Sequence, residues 1–359
     1  MKVLILSANT GGGHNSVAMA LKGRFEEIGD ECVIEDCLSF VSPFVSKIVS
    51  SGHSALYKYL KPINSLGWKI CIDNRDSVNE HNPMYKLMIL GCNKLAIYLL
   101  QNQFDVVVCT HIFAGWLISE TVKRNNISVR TGIVETDYMP SLGCEYMDVD
   151  YHFVPTAEIA EAGIALGIPR EKVIVSGIPV KKEIYEKISK EEAKQRLNIL
   201  KDRKHVIVML GSMGGGPMTG ITHYLIKTFG NQVYMELKLA YGKKNNVRIT
   251  RFIKEISVWM DSADILVSKP GGISTTEAAT KGLPMVLINC IGGCENGNRD
   301  YFVSKGGAVN AEGPKEVAEA CRKLLDDDSL REEMKTALQG IAEQNDTGII
   351  VRTFHDQEF

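Results

Sequence analysis

Two stretches of this 359-residue chain share one pattern: MKVLILSANTGGGH at residues 1–14 and HVIVMLGSMGGG at residues 205–216. Each is an apolar run followed by a cluster of glycines and then by a segment with helical spacing. A continuous apolar run is typical of a strand that is buried on both faces of a parallel sheet. The glycine cluster is typical of a turn that joins such a strand to a helix. The repeated pattern predicts two α/β domains of the same kind.

Further elements complete both halves. Alternating strand and helix patterns predict Rossmann-like domains with parallel sheets. We predict a first domain at residues 1–180, a second at 181–340, and a tail at 341–359 whose packing the sequence does not reveal. The other predicted strands lie at residues 32–34, 104–110, 129–134, 151–154, 173–176, 265–268 and 285–288. Helices are expected from Asn15, across Trp116, from Pro217 and at 329–342, and a shorter segment at 347–354 follows the last of them.

Composition excludes several classes of protein. Hydrophobic residues make up 45% and charged residues 23%, as in globular proteins. The formal net charge of −2 gives no overall attraction to nucleic acid, so we expect no nucleic-acid partner. The nine cysteines have no CxxC spacing, which favours a reducing compartment over disulfides or zinc. No apolar run reaches the ~18–20 residues of a membrane span, and the N-terminal segment lacks signal-peptide features. We therefore expect a cytoplasmic protein.

The loop Gly11-Gly12-Gly13-His14 is the first candidate for chemistry. Glycines after a strand let the backbone approach a ligand, and the following helix offers free N–H groups. A histidine there is suited to act as a base or a hydrogen-bond donor. The alternative is a helix-terminal histidine without chemistry. Glu35 and Asp36, at the end of the second strand, are the acids available to a ribose in this half.

The segment SKPGGISTTE is the second candidate, because it also follows a strand and opens a helix. Gly271 and Gly272 permit close backbone approach, and Ser274 and Thr275 lie where a helix N-terminus would meet a diphosphate. Glu277 is placed to hydrogen-bond a ribose diol. The alternative is a structural capping box, since Ser274 and Glu277 have the S-x-x-E spacing.

Two further segments are more ambiguous. Glu295 and Asn298 lie on a loop past a strand's carboxyl end, where they could read sugar hydroxyls or form an ordinary turn. Residues 38–72 carry four lysines, no acidic residue and several aromatics. Such a segment suits an anionic membrane surface. Its alternative is a helical region with core aromatics and solvated lysines.

In combination these motifs are specific. Ordered along the chain, they are GGGH, Thr110-His111, Thr136-Asp137-Tyr138, Gly-Ile-Pro-Val at 177–180, GSMG at 211–214, MDSADI at 260–265, SKPGGISTTEAATKGLPMV at 268–286 and Gly-Cys-Glu-x-x-Asn at 293–298. This order resembles the monogalactosyldiacylglycerol synthase and processive diacylglycerol glucosyltransferase group of glycosyltransferase family 28, over nearly the whole chain. The lipid II N-acetylglucosaminyltransferase is a more distant relative of this group.

The resemblance implies a GT-B fold, in which two Rossmann-like domains face each other across a cleft. It also implies metal-independent, inverting transfer of a hexose from UDP-glucose or UDP-galactose to a diacylglycerol-type lipid, without a cofactor, at the inner face of the cell membrane. Residues 38–72 correspond to the membrane-facing region. The site residues that the resemblance implies fall into three sets. The catalytic pair is His14 and Asp137. The acceptor side is Gly12, Gly13, His111 and Tyr138. The donor side is Gly211, Ser212, Met213, Ile253, Gly271, Gly272, Ser274, Thr275, Glu277, Glu295 and Asn298.

One departure from the family pattern concerns the second domain. About ten residues are absent between the helix near Pro217 and residues 246–249, and we expect most of a strand to be lost with them. Two other hypotheses stay open, and this departure supports only the second of them. One is a UDP-sugar epimerase of the same architecture, and the other is a decayed paralogue that binds UDP-sugar without turnover.

Overall fold

The structure is a computed structural model that describes residues 1–47, 49, 79, 81–210, 217–229, 233–237, 247–249, 255–288 and 293–356. The chain forms two compact units. The first domain comprises Met1–Lys181 and the last segment of the chain from Gln344. The second domain comprises Lys182–Ile291 and Glu295–Glu343.

The first domain is built on a six-stranded parallel sheet with the order β2-β1-β3-β4-β5-β6. The strands are β1 (Lys2–Ser7), β2 (Glu31–Asp36), β3 (Val106–Cys109), β4 (Arg130–Val134), β5 (Tyr151–Val154) and β6 (Val173–Val175). The helices are Gly12–Glu27, Cys37–Val41, Pro83–Ile89, Cys92–Asn102, Ile112–Asn125, Ala157–Ala165 and Gly348–His355. Strand β3 is buried along its whole length, as its uninterrupted apolar run predicts.

The second domain repeats the plan with the strand order β12-β11-β10-β7-β8-β9, again parallel. The strands are β7 (Lys204–Met209), β8 (Val233–Leu237), β9 (Val247–Ile249), β10 (Ile265–Ser268), β11 (Met285–Ile288) and β12 (Ala308–Ala311). The helices are Lys182–Tyr185, Lys190–Arg196, Met218–Phe229, Ile256–Ser262, Gly272–Lys281, Cys294–Ser304, Pro314–Asp326 and Asp328–Ala342.

The expected loss of a strand from the second sheet is wrong. Strand β8 pairs with β7 over five residues, from Lys204 opposite Val233 to Val208 opposite Leu237, and β9 continues the sheet. Strands of about five residues are common in globular proteins, so the shortened segment is still long enough to form a strand. The structural argument for a decayed donor domain is thereby removed.

The tail is part of the first domain. Phe354 is fully buried, and its ring lies 5.7 Å from that of Phe153 and 5.4 Å from that of Tyr151, centroid to centroid. The guanidinium of Arg130 donates to the carbonyl oxygen of Phe354, and His355 Nε2 lies 2.7 Å from Asp30 Oδ2. The helix Gly348–His355 is therefore held by apolar packing and polar contacts together.

Strand order fixes where ligands can bind. In the first sheet the chain moves from β1 outward to β2 and then returns to the other side of β1 with β3. In the second sheet β7 lies between β8 and β10 in the same way. Such reversals open a crevice beyond the carboxyl ends of the strands, where ligands bind in open α/β sheets. The loops after β1 and β3, and those after β7 and β10, therefore lie at the two expected binding positions.

Candidate active site

The first domain gathers polar residues from three neighbouring strands, which we call the histidine site: His14 after β1, Thr110 and His111 after β3, and Thr136 and Asp137 after β4. The predicted helix began at Asn15, whereas the observed helix begins at Gly12. His14 therefore lies in the first helical turn. The half-buried ring of His14 meets that of His111 edge to face, with centroids 4.5 Å apart.

A backbone contact fixes the protonation pattern of His14. Its Nδ1 lies 2.7 Å from the carbonyl oxygen of Thr110 and 3.3 Å from Thr136 Oγ1. A carbonyl oxygen can only accept, so Nδ1 must carry the hydrogen. In the neutral ring the lone pair then lies on Nε2. Burial lowers the pKa of His14, while the carboxylate of Asp137 and the Thr110 bond raise it, and the net direction is down. His14 is thus a neutral imidazole with Nε2 able to take a proton.

His111 has the opposite arrangement. Its Nδ1 accepts the backbone N–H of Phe113 at 3.0 Å and so caps the helix Ile112–Asn125. With Nδ1 as acceptor, the hydrogen of the neutral ring is on Nε2. The two rings of the histidine site therefore present complementary groups, an acceptor on His14 and a donor on His111.

A buried carboxylate supports the loop that carries Asp137. Glu135 is buried at the end of β4, its backbone N–H donates to Phe153 O at 2.9 Å, and its carboxylate accepts the Ser141 hydroxyl at 2.5 Å. Tyr138 is also buried. Its ring therefore belongs to the wall of the domain, whereas Asp137 is half-buried.

The sequence motifs assigned no role to two hydroxyl groups, that of Thr110 in the histidine site and that of Thr10 after β1. Thr10 Oγ1 and Thr110 Oγ1 are both buried and have no hydrogen-bond partner within the described part of the chain. Such groups are uncommon in folded proteins, since an unpaired buried hydroxyl costs about 1–3 kcal/mol. Their position directly after the strands was the only signal available in the sequence.

The acids at the end of β2 have structural partners. Asp36 caps the helix Cys37–Val41 through Leu38 N at 3.2 Å, and its other oxygen accepts from Asn9 at 3.1 Å. Glu35 accepts the hydroxyl of Tyr98 at 3.2 Å. Their hydrogen bonds hold neighbouring segments of the first domain together.

In the second domain, residues Pro270–Gly272 form what we call the glycine turn. The helix begins at Gly272, and Gly271 is its N-cap. Since Thr275 N donates to Gly271 O, Ser274 already has helical backbone, and the capping-box interpretation is wrong. No side chain of the described residues caps this N-terminus, so its first-turn N–H groups and positive dipole end remain available to an anion.

The side chains around the glycine turn differ in exposure. Ser274 and Glu277 are half-buried, and Glu277 lies in the second helical turn rather than the first. Thr275 is fully buried, and its hydroxyl donates to the carbonyl oxygens of Gly271 and Gly272, each at 3.0 Å. A diphosphate at this helix would therefore meet backbone N–H groups before it met the Thr275 hydroxyl.

The loop after β11 gives two different outcomes. Glu295 is half-buried, in the first turn of the helix Cys294–Ser304. Asn298 is fully buried and donates to Pro270 O at 2.9 Å. The predicted donor residues Gly211, Ser212, Met213 and Ile253 lie outside the described residues, as does most of the 38–72 segment.

Two absences concern metals and membranes. The described residues contain no group of three His, Cys, Asp or Glu side chains arranged to hold a metal ion. The expectation of metal-independent chemistry stays a prediction. Among the described helices, none has both the length and the apolarity needed to span a bilayer.

Comparison with known proteins supports the resemblance drawn from the motifs. Residues 14–180 match the family model of monogalactosyldiacylglycerol (MGDG) synthase, and residues 202–339 match glycosyl transferases group 1. A processive diacylglycerol beta-glucosyltransferase of Bacillus cereus (strain B4264) is 27% identical over 98% of this chain and 92% of its own.

Two solved structures share the fold over 99% of this chain. Acinetobacter baumannii MurG matches with a TM-score of 0.63, 12% identity and 99% of its own chain covered. The UDP-GlcNAc 2-epimerase of Neisseria meningitidis, bound to UDP-GlcNAc, matches with a TM-score of 0.63, 16% identity and 100% of its own chain covered. At these identities the likeness shows the fold alone.

Fold and family matches together define a glycosyltransferase of the GT-B class. More narrowly, the chain is similar to monogalactosyldiacylglycerol synthases over residues 14–180 and to processive diacylglycerol beta-glucosyltransferases over nearly its whole length, which confirms the resemblance drawn from its motifs.

Proposed function

We propose that this protein transfers a hexose from UDP-glucose or UDP-galactose to the hydroxyl of a diacylglycerol-type lipid, with inversion at the anomeric carbon. The near full-length similarity to a processive diacylglycerol beta-glucosyltransferase supports the lipid acceptor. The strongest structural support is the 2.7 Å hydrogen bond from His14 Nδ1 to Thr110 O, because it leaves Nε2 as a base. A base that takes the proton of the acceptor hydroxyl is what direct displacement requires.

The reaction is a single displacement. The acceptor oxygen attacks the anomeric carbon, its proton passes to His14 Nε2, and the bond between that carbon and the UDP phosphate oxygen breaks. His14 is an imidazolium at this point, and the carboxylate of Asp137 stabilises that charge, as its upward effect on the pKa of His14 indicates. The hydrogen on His111 Nε2 is suited to orient the acceptor through a second lone pair of its oxygen.

The departing UDP takes up the electron pair of the broken bond. We assign its diphosphate to the glycine turn, where the uncapped first turn of the helix Gly272–Lys281 offers N–H groups and a positive dipole end. Glu277 is assigned to the ribose and Glu295 to the sugar, in keeping with the resemblance. Both side chains are half-buried, so a ligand can reach them without a change in their packing.

A membrane surface is the proposed place of action. Large apolar side chains that are well exposed in the first domain include Phe44, Leu90, Ile97 and Leu100. Exposed apolar side chains near basic residues suit insertion into the headgroup region of an anionic bilayer. Phe44 belongs to the 38–72 segment, which carries Lys47 and three further lysines.

The test uses the full-length protein with vesicles that contain diacylglycerol and an anionic lipid. UDP-glucose and UDP-galactose are supplied together, and mass spectrometry identifies lipids that have gained one or more hexoses. Since both donors are α-linked, inversion predicts a β-glycoside, which the anomeric proton coupling in NMR reports. Interconversion of the UDP-sugars without a lipid product would instead indicate the epimerase, whose fold is equally close.

A further inference from the structure

Asn298 couples two loops of the second domain. It lies on the helix Cys294–Ser304, its side chain is fully buried, and its Nδ2 donates to Pro270 O at 2.9 Å. A primary amide that donates inward from a fully buried position presents no atom to a ligand in solution. Its contact is instead with the backbone of the glycine turn.

Local backbone bonds complete the glycine turn. Gly271 N donates to Lys269 O at 2.9 Å, and Gly271 O accepts both Thr275 N and the Thr275 hydroxyl. These bonds all lie within seven consecutive residues, so they shape the turn without fixing its position in the domain. The bond from Asn298 crosses 28 positions of sequence. It attaches the turn to another helix.

The other end of the helix Gly272–Lys281 is anchored as well. Lys281 is buried, and its Nζ donates to Glu186 O at 2.7 Å and to Asp261 Oδ2 at 2.9 Å. The helix is thus attached near its N-terminus through Asn298 and at its C-terminus through Lys281. A helix held at both ends cannot slide along its axis to meet a ligand, so its first-turn N–H groups are placed before binding.

We propose that Asn298 is a positioning residue that holds the glycine turn in place for the diphosphate of the donor, rather than a residue that reads the sugar. The inference rests on the proposed donor site. It predicts that loss of the Asn298 amide weakens the binding of every ligand with the UDP diphosphate, whether or not a sugar is attached. If Asn298 instead contacted the sugar directly, its loss would weaken the binding of UDP-glucose but not that of UDP.

The test compares UDP with UDP-glucose by calorimetric titration of the full-length protein. In Asn298→Leu the side chain keeps a similar volume but loses its amide. Because one buried hydrogen bond is lost, we expect the affinities for UDP and for UDP-glucose to fall by the same factor, about tenfold. Glu295→Gln is the matched contrast on the same helix, and it should weaken UDP-glucose but not UDP. Equal affinity of Asn298→Leu and wild type for UDP would overturn the proposal, whether UDP-glucose binding is weakened or not.

A second readout needs no ligand. Hydrogen exchange of the backbone amides at residues 271–275 should be faster in Asn298→Leu than in wild type, and unchanged exchange would overturn the coupling. Asn298→Ser serves the same purpose if the leucine variant does not fold. If wild type binds neither UDP nor UDP-glucose, the proposed function fails, whereas the exchange measurement still decides whether Asn298 positions the turn.

Discussion

Replacement of His14 by asparagine separates the catalytic role of this residue from its structural role. The Asn side-chain amide reaches the position of Nδ1, so it can keep the donation to Thr110 O, but it offers nothing at the position of Nε2. Removal of a general base costs about 10²- to 10⁴-fold in rate, or about 3–5 kcal/mol in activation free energy. Because the Thr110 bond is kept, the free energy of unfolding should change by less than about 1 kcal/mol.

The assay is hexose transfer to diacylglycerol in vesicles, with donor and acceptor concentrations varied separately. We expect kcat to fall and the KM for the donor to change little, since the glycine turn is in the other domain. The kcat/KM of the wild type should decrease as pH falls. The midpoint of this decrease should lie below pH 6.5, because burial lowers the pKa of His14. In Asp137→Asn that midpoint should move to lower pH still, since the carboxylate raises this pKa. A His14→Asn enzyme within tenfold of wild type, with the same pH profile, would refute the assignment of the base.

Three further predictions concern the fold and the second domain. Gly271 has φ −76° and nothing within 4 Å of an added Cβ, so Gly271→Ala should leave unfolding unchanged or stabilise by about 0.4–1 kcal/mol, yet weaken UDP binding measured by calorimetry. A lower free energy of unfolding in Gly271→Ala would contradict this prediction. Lys281→Met leaves buried Asp261 unpaired and should cost about 3–5 kcal/mol in urea unfolding, whereas adding Asp261→Leu should restore part of this; additive losses would argue against the pair. Burial lowers the pKa of His152 to about 4, so its stabilising contribution is complete above pH 6.5 and declines as pH falls toward 4. Between pH 7.5 and 5.0 the wild type should lose about 2 kcal/mol that His152→Gln does not lose, and equal losses in both proteins would contradict the prediction.

The strands of this fold are largely legible in the sequence because each is a short apolar run between turn residues. The runs at 205–210 and 265–268 predict β7 and β10 to within a residue. Strand β12 was not predicted, because polar Asn310 interrupts its short apolar run. The helix Pro314–Asp326 was not predicted either, although its buried residues recur at helical spacing. The expected loss of a strand near residue 233 was wrong since a strand of five residues is enough to pair.

The candidate site can be predicted from the sequence only in part. The sequence by itself placed histidine and acid residues after the strands of the first half and glycines before a helix of the second, and the order of these motifs was enough to identify the family. Periodicity and composition suffice for this because they are properties of neighbouring residues. They do not show which nitrogen of His14 carries the hydrogen.

Only the tertiary structure decided those roles. Thr110 is 96 positions away from His14, and Pro270 is 28 positions away from Asn298. Strand order brings the first pair together, and a hydrogen bond between a helix and the turn before another helix joins the second pair. The direction of a hydrogen bond and the burial of an amide depend on these distant partners. For that reason the sequence names His14 and Asn298 only as candidates, while their contacts support the proposed roles of one as a base and of the other as a support for the glycine turn.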